Sequence, residues 1–129
     1  MSNEVQPVTR TLTQQRIAAY ARASGDYNPI HIDEAYARTT PFGGTIAHGM
    51  LVLALVGEMM HRAFGEAWCA RGTLKVRFKA PTRAGDTVTA SATALAAPSE
   101  GGAATYSVRC ENQRGDVLVE GRASMAAPA

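Results

Sequence analysis

A chain of 129 residues is long enough to bury one hydrophobic core and short for two ordinary domains. Hydrophobic residues make up 46% and charged residues 19%, which excludes a disordered chain. A formal net charge of +2 with no dense basic run excludes the electrostatic footprint of a nucleic-acid binder.

The first residues, Met-Ser-Asn-Glu-Val-Gln-Pro, lack the basic-then-apolar layout of a secretory signal. Residues 5–12 read as a short strand, with Pro7 placing it at a sheet edge or a strand start. Thr13 is the expected N-cap of a helix over residues 14–24. Ile17, Tyr20 and Ala21 give that helix one apolar side, and Gly25 stops it. Pro29 interrupts the next stretch, so residues 24–33 are expected to be irregular rather than helical. Asp33 then caps a second short helix through Arg38, and Pro41-Phe42-Gly43-Gly44 reads as a loop.

From residue 47 to 64 the chain is nearly continuous in apolar helix formers, among them Met50, Leu51, Leu53, Leu55 and Met59. A helix apolar on most of its circumference is expected to be buried, with Gly65 as its stop. The apolar run at 46–56 is about half the length of a membrane span and contains His48, so a soluble, cytoplasmic protein is the expectation, without membrane contact.

After residue 65 the period changes to two. Leu74, Val76 and Phe78 alternate with Lys75, Arg77 and Lys79. Three further alternating strands follow, through Val88–Ala94, Ala104–Cys110 and 117–125, separated by turns at 98–102 and Gly115-Asp116 and ending in a loose Ala-Ala-Pro-Ala tail. An antiparallel sheet with one apolar face needs a cover, and only the 47–64 helix is apolar enough to supply it. The reading is α+β: one domain over residues 1–129, a curled antiparallel sheet wrapped around one long central helix.

Chemistry concentrates in two segments. Asp26 and His31 stand five residues apart in Ser24-Gly25-Asp26-Tyr27-Asn28-Pro29-Ile30-His31-Ile32-Asp33, and Gly49 opens the buried helix in Ala47-His48-Gly49-Met50. A carboxylate, an imidazole and a helix N-terminus aimed at one spot suit acid/base chemistry on a carbonyl compound. Taken singly, the same residues have plainer uses: Asp26 and Asn28-Pro29 as turn residues, His31 as a hydrogen-bonded structural histidine. His48 is read as orienting the loop or serving the helix end, Asp33 as a cap, and His61 as a residue of the helix end without assigned function. His31, His48 and His61 lack close helical ligand spacing, so no metal is expected. Cys69 and Cys110 lie far apart without CxxC spacing and are read as reduced thiols.

These two segments together resemble the signature of (R)-specific enoyl-CoA hydratases, within the MaoC-like acyl dehydratases of the hot-dog fold. The resemblance covers most of the chain, because the helix and strands come in the same order. It implies reversible hydration of a trans-2-enoyl thioester of coenzyme A or a carrier protein, with Asp26 and His31 catalytic and no cofactor. It also implies that Asn28 helps organise the substrate site and that the Gly49 N–H receives the enolate oxygen. Homodimers are common among hot-dog relatives, and the sheet face left uncovered by the helix is the expected contact.

Two rival functions share the fold. A thioesterase would draw a carboxylate from the central helix, where Glu58 is available roughly 13 Å along the axis from Gly49. An acyl-thioester-binding subunit of a heteromeric dehydratase would need a partner to complete its pocket. Lys75, Arg77, Lys79 and Arg83 have two readings: a solvated strand face, or partners for coenzyme A phosphates or an acidic carrier protein.

Overall fold

A computed structural model describes residues 5–95 and 103–126; the turn expected at 98–102 and most of the C-terminal tail lie outside them. Strand β1 (Val8–Thr11) leads into helix α1 (Gln14–Ser24) through Thr13, whose Oγ1 accepts the Arg16 N–H at 3.1 Å. Gly25 closes α1 in the left-handed region at φ 78°, where a glycine has no Cβ to clash.

The expectation that Pro29 keeps its neighbourhood out of helix does not hold. Pro29 instead opens the single-turn α2 (Pro29–Ile32), and Asn28 caps it by accepting the Ile30 N–H at 3.2 Å. A first-turn residue makes no use of its N–H, so proline is tolerated at this position and breaks a helix only further in. Asp33 then caps α3 (Glu34–Ala37) as expected, accepting the Tyr36 N–H at 3.1 Å.

The long helix α4 (Gly49–Phe64) begins two residues later than its composition indicates, with His48 as N-cap. Gly65 ends it, and a further short helix, α5 (Glu66–Arg71), follows at once without having been anticipated. Four strands complete the chain: β2 (Gly72–Phe78), β3 (Thr87–Ala94), β4 (Ala104–Glu111) and β5 (Val117–Met125). All pairings are antiparallel, in the order β1-β3-β4-β5-β2. β3, β4 and β5 form a meander, while β2 lies beyond β5, leaving β1 and β2 as the edges among the described residues.

On the inner face, Val88, Ala90, Val108, Cys110, Val119 and Ala123 meet Val52, Leu55, Val56, Met59 and Met60 of α4. Each fully buried valine, leucine or methionine among them contributes about 1.5–3 kcal/mol. At Gly121 the backbones of β5 and β2 come so close that a Cβ would stand 2.1 Å from the Lys75 carbonyl oxygen. Only glycine permits that approach, and the sheet stays continuous around the helix because of it.

Helix α4 is not buried on all sides. Met50 is 59% exposed, Ala54 is also exposed, and Leu53 and Gly57 are only partly covered. Phe78, at the end of edge strand β2, is 53% exposed beside them. The outer sheet face, by contrast, carries Lys75, Arg77, Arg109, Glu111, Glu120 and Arg122 in its exposed or half-exposed positions.

Candidate active site

The loop that presents Asp26 is built from side-chain caps. Ser24 Oγ accepts the Asp26 N–H at 3.2 Å, and Asp26 Oδ1 accepts the Asn28 N–H at 3.2 Å. These short polar residues bond their own neighbourhood and fix a turn where a regular element would otherwise continue. The Asp26 carboxylate stays half exposed while His31, on α2, is buried.

His31 Nδ1 lies 2.8 Å from the Ile46 carbonyl oxygen. A carbonyl only accepts, so Nδ1 carries the proton in the neutral ring and Nε2 keeps its lone pair. That lone pair faces Asp26 Oδ2 across 3.9 Å. Two acceptors at this separation do not bond each other directly, and a molecule with two donors, such as water, suits the gap.

His48 joins the parts. Its Nε2 donates to the Asp26 carbonyl oxygen at 3.0 Å, and its ring stacks on His31 with centroids 3.8 Å apart and 25° between planes. Tyr20 meets it edge-on at 4.8 Å, and the buried His48 Nδ1 has no hydrogen-bond partner among the described residues. The role of orienting the loop, read from the sequence, is the one this geometry describes. One ligand atom each from Asp26, His31 and His48 falls within 4.8 Å of the others. The near-parallel stack, however, sends the in-plane lone pairs of the two rings along separate planes rather than to one ion about 2 Å from both.

Gly49 is the first residue of α4, so its N–H has no intrahelical partner and sits at the positive end of the helix. It lines a pocket of about 320 Å³ together with Phe42, Ile46, Val52, Phe78 and Val119. The Phe78 ring lies against it: a Cβ on Gly49 would stand 3.0 Å from Phe78 Cε1. Asp26 and His31 do not line this pocket. They adjoin it through residues 46–49, where Ile46 anchors His31 and His48 holds Asp26. Asn28 serves as the cap of α2, shaping the loop from outside the pocket.

Several contributors carried no sequence signal. Glu34 Oε2 accepts the Thr45 N–H at 3.1 Å and lies 3.0 Å from the Thr45 hydroxyl, while Gln14 Nε2 donates to the His31 carbonyl at 2.8 Å. The Thr45 backbone N–H, then its hydroxyl and Arg38, hold the Glu34 carboxyl below the usual carboxylate range. Polar residues at these spacings read as surface. Elsewhere, Cys69 is exposed and Cys110 buried, both free, and burial pushes the Cys110 thiol up to about 12. Glu58, the thioesterase candidate, is held by Arg10 at 2.5 Å and Arg62 at 2.6 Å.

The profile of the family described as MaoC like domain matches residues 2–112. The chain belongs to this family. Among MaoC-like relatives, an (R)-specific enoyl-CoA hydratase of Rhodospirillum rubrum is 34% identical over 122 residues, 95% of this chain and 84% of that protein. Another, from Aeromonas caviae, is 34% identical over 116 residues, 87% of this chain and 84% of that one. The solved (R)-hydratase from A. caviae involved in PHA biosynthesis superposes with a TM-score of 0.84 at 29% identity, covering 99% of this chain and 97% of that one. The MaoC-like hot-dog architecture expected from the sequence is therefore the one observed.

Proposed function

We propose that this MaoC-like protein is a hydro-lyase that adds water reversibly to trans-2-enoyl thioesters, giving (R)-3-hydroxyacyl thioesters. The 3.9 Å separation of two facing acceptors, Asp26 Oδ2 and His31 Nε2, carries the reading. Water held between them points both protons at bases and turns an oxygen lone pair outward. Its oxygen bonds to C3, one proton passes to the pair, and the pair delivers a proton to C2 as the C2–C3 double bond is lost. Atoms balance with water alone, so the reaction needs no cofactor. Negative charge that builds on the thioester oxygen in between is received by the Gly49 N–H at the helix N-terminus. Asn28 acts on the substrate site indirectly, by fixing the turn between the two catalytic side chains.

The (R) outcome follows the named activity of the relatives. Thioesterase chemistry at Glu58 finds no support, since both arginines engage that carboxylate. The pair also argues against a subunit that only binds acyl thioesters. Purified protein should consume the enoyl absorbance of crotonyl-CoA and yield the (R)-3-hydroxy product. A folded wild type inactive on short, medium and carrier-bound enoyl thioesters contradicts the proposal.

The assembly we favour is a homodimer. Its support lies at the open edge of β2 and the adjoining exposed Met50 and Phe78, rather than on the charged outer sheet face. Light scattering on the eluting protein should give twice the chain mass; a monomer at working concentration would count against it. Among the described residues no helix is long and apolar enough to cross a membrane. A cytoplasmic setting fits free thiols at Cys69 and Cys110.

A further inference from the structure

The outer face of β2, β5 and β4 carries an electrostatic arrangement that folding alone disfavours. Lys75 and Arg122 are directly paired across β2 and β5, and Arg77 is two residues further along the same face. Like charges placed opposite one another in a sheet cost stability. All three are exposed, and among the described residues none has an ion-pair partner. Glu120 faces Arg77, but among the described residues neither nearby acid forms an ion pair with any of the three. Glu120, opposite both Arg77 and Arg109, is taken by Lys79 at 3.6 Å, and Glu111 pairs with Arg109 at 2.8 Å.

The same residues line a groove of about 590 Å³ with the Ser107 hydroxyl, the Leu95 side chain and Glu120, whose carboxylate is paired with Lys79. Ser107 stands opposite Arg122 on β4. Three unpaired cations, a hydroxyl and an apolar wall in a groove of small-molecule size match phosphate groups carried on a compact ring system. The groove also has a defined relation to the pocket beside Gly49. Phe78 ends β2 on the inner face at that pocket, and Arg77 is its neighbour on the outer face. Lys75 lies only about 7 Å further along the strand.

We propose that Lys75, Arg77 and Arg122 form a binding site for the phosphorylated nucleotide end of a coenzyme A thioester, whose flexible arm passes over the end of β2 to the pocket at Gly49. The site rests on the hydratase reading for its substrate and adds which carrier that substrate uses: a nucleotide rather than a protein.

The test pairs binding with kinetics. Adenosine 3′,5′-bisphosphate, titrated calorimetrically into wild-type protein, should bind one molecule per chain, more weakly as salt rises. The Arg77→Gln/Arg122→Gln variant should weaken this binding by about tenfold or more. It should raise KM for crotonyl-CoA by a similar factor at unchanged kcat, and leave KM for crotonyl-pantetheine, which has no phosphate, as in wild type. The single Arg122→Gln variant, which removes the charge opposite Lys75, should have an equal or higher thermal midpoint, whereas a structural role for that arginine would lower it. Bisphosphate binding that ignores the substitutions overturns the proposal. So does a KM that rises only for an enoyl-carrier-protein substrate, which would make the face a protein dock. Wild type inactive on both thioesters would refute the hydratase reading, while the calorimetric arm still decides the nucleotide site.

Discussion

The loop that presents Asp26 and the helix that presents Gly49 adjoin at one site, yet different forces hold them there. From Ser24 to His31 the chain is fixed by polar bonds of 2.8–3.2 Å to nearby backbone, with Asp26 itself half exposed. Each such bond contributes a net of about 0.5–1.5 kcal/mol. Helix α4 is fixed by Val52, Leu55, Val56, Met59 and Met60 packed against the sheet. The loop therefore stores geometry and the helix stores stability. Substitutions in the first should separate activity from folding, and substitutions in the second should not.

The largest effect on activity is expected at the loop's imidazole. His31→Gln should lower kcat for crotonyl-CoA hydration by roughly 100- to 10,000-fold, the usual span for a positioned acid/base group. Its denaturant midpoint should stay near that of wild type. A large fall in stability with the fall in rate would erase the contrast between the two regions. On the helix side, Met59→Ala should cost about 2–5 kcal/mol of unfolding free energy, because Met59 is fully buried. The folded fraction should keep a near-normal kcat, measured below the transition.

His48 lies where the two regions meet and should respond in both. His48→Phe keeps a ring against His31 but loses the donor to the Asp26 carbonyl, leaving that oxygen short of a partner. A fall in kcat of about tenfold at near-constant KM is expected, with partial recovery in His48→Gln, which restores an N–H. A larger loss in His48→Gln than in His48→Phe would assign the effect to stacking rather than to the hydrogen bond.

The smallest effect belongs to Glu34. Its carboxyl is depressed below 4.5 in the folded protein, chiefly by the Thr45 N–H. A depressed folded value means its contribution is present above the unfolded carboxylate range and disappears as pH falls through the lowered value. Glu34→Gln should therefore flatten part of the acid limb of a stability–pH curve by slightly lowering stability near pH 7, while leaving it little changed at low pH, where the wild-type carboxyl is protonated as well. An unaltered acid limb would show that Thr45 is held by other contacts.

Much of this molecule was legible in its sequence because local rules and packing agree there. Thr13, Gly25 and Asp33 cap where their side chains allow, and the alternation from Leu74 onward gives strands with the correct faces. Pro29 misled because a proline reads as a helix break unless its position in the first turn is known, and that position depends on the Asn28 cap. The partner of β2 was not readable, since alternation fixes a strand's faces but not its neighbour. The exposed side of α4 was hidden for a related reason: apolar composition does not say whether the cover comes from the same chain. Asp26, His31 and Gly49 stood out by residue type and motif, but the 3.9 Å gap depends on the Ile46 carbonyl, which no side-chain pattern encodes.

The central claim is that Asp26 and His31 act as one unit on one shared water, and a double-variant cycle addresses it directly. Crotonyl-CoA hydration would be measured for Asp26→Asn, His31→Gln and the two combined, with folding checked by circular dichroism. Groups that act together are strongly non-additive, so the double variant should fall within about tenfold of the weaker single variant. Losses that multiply, or an Asp26→Asn enzyme as active as wild type, would contradict it.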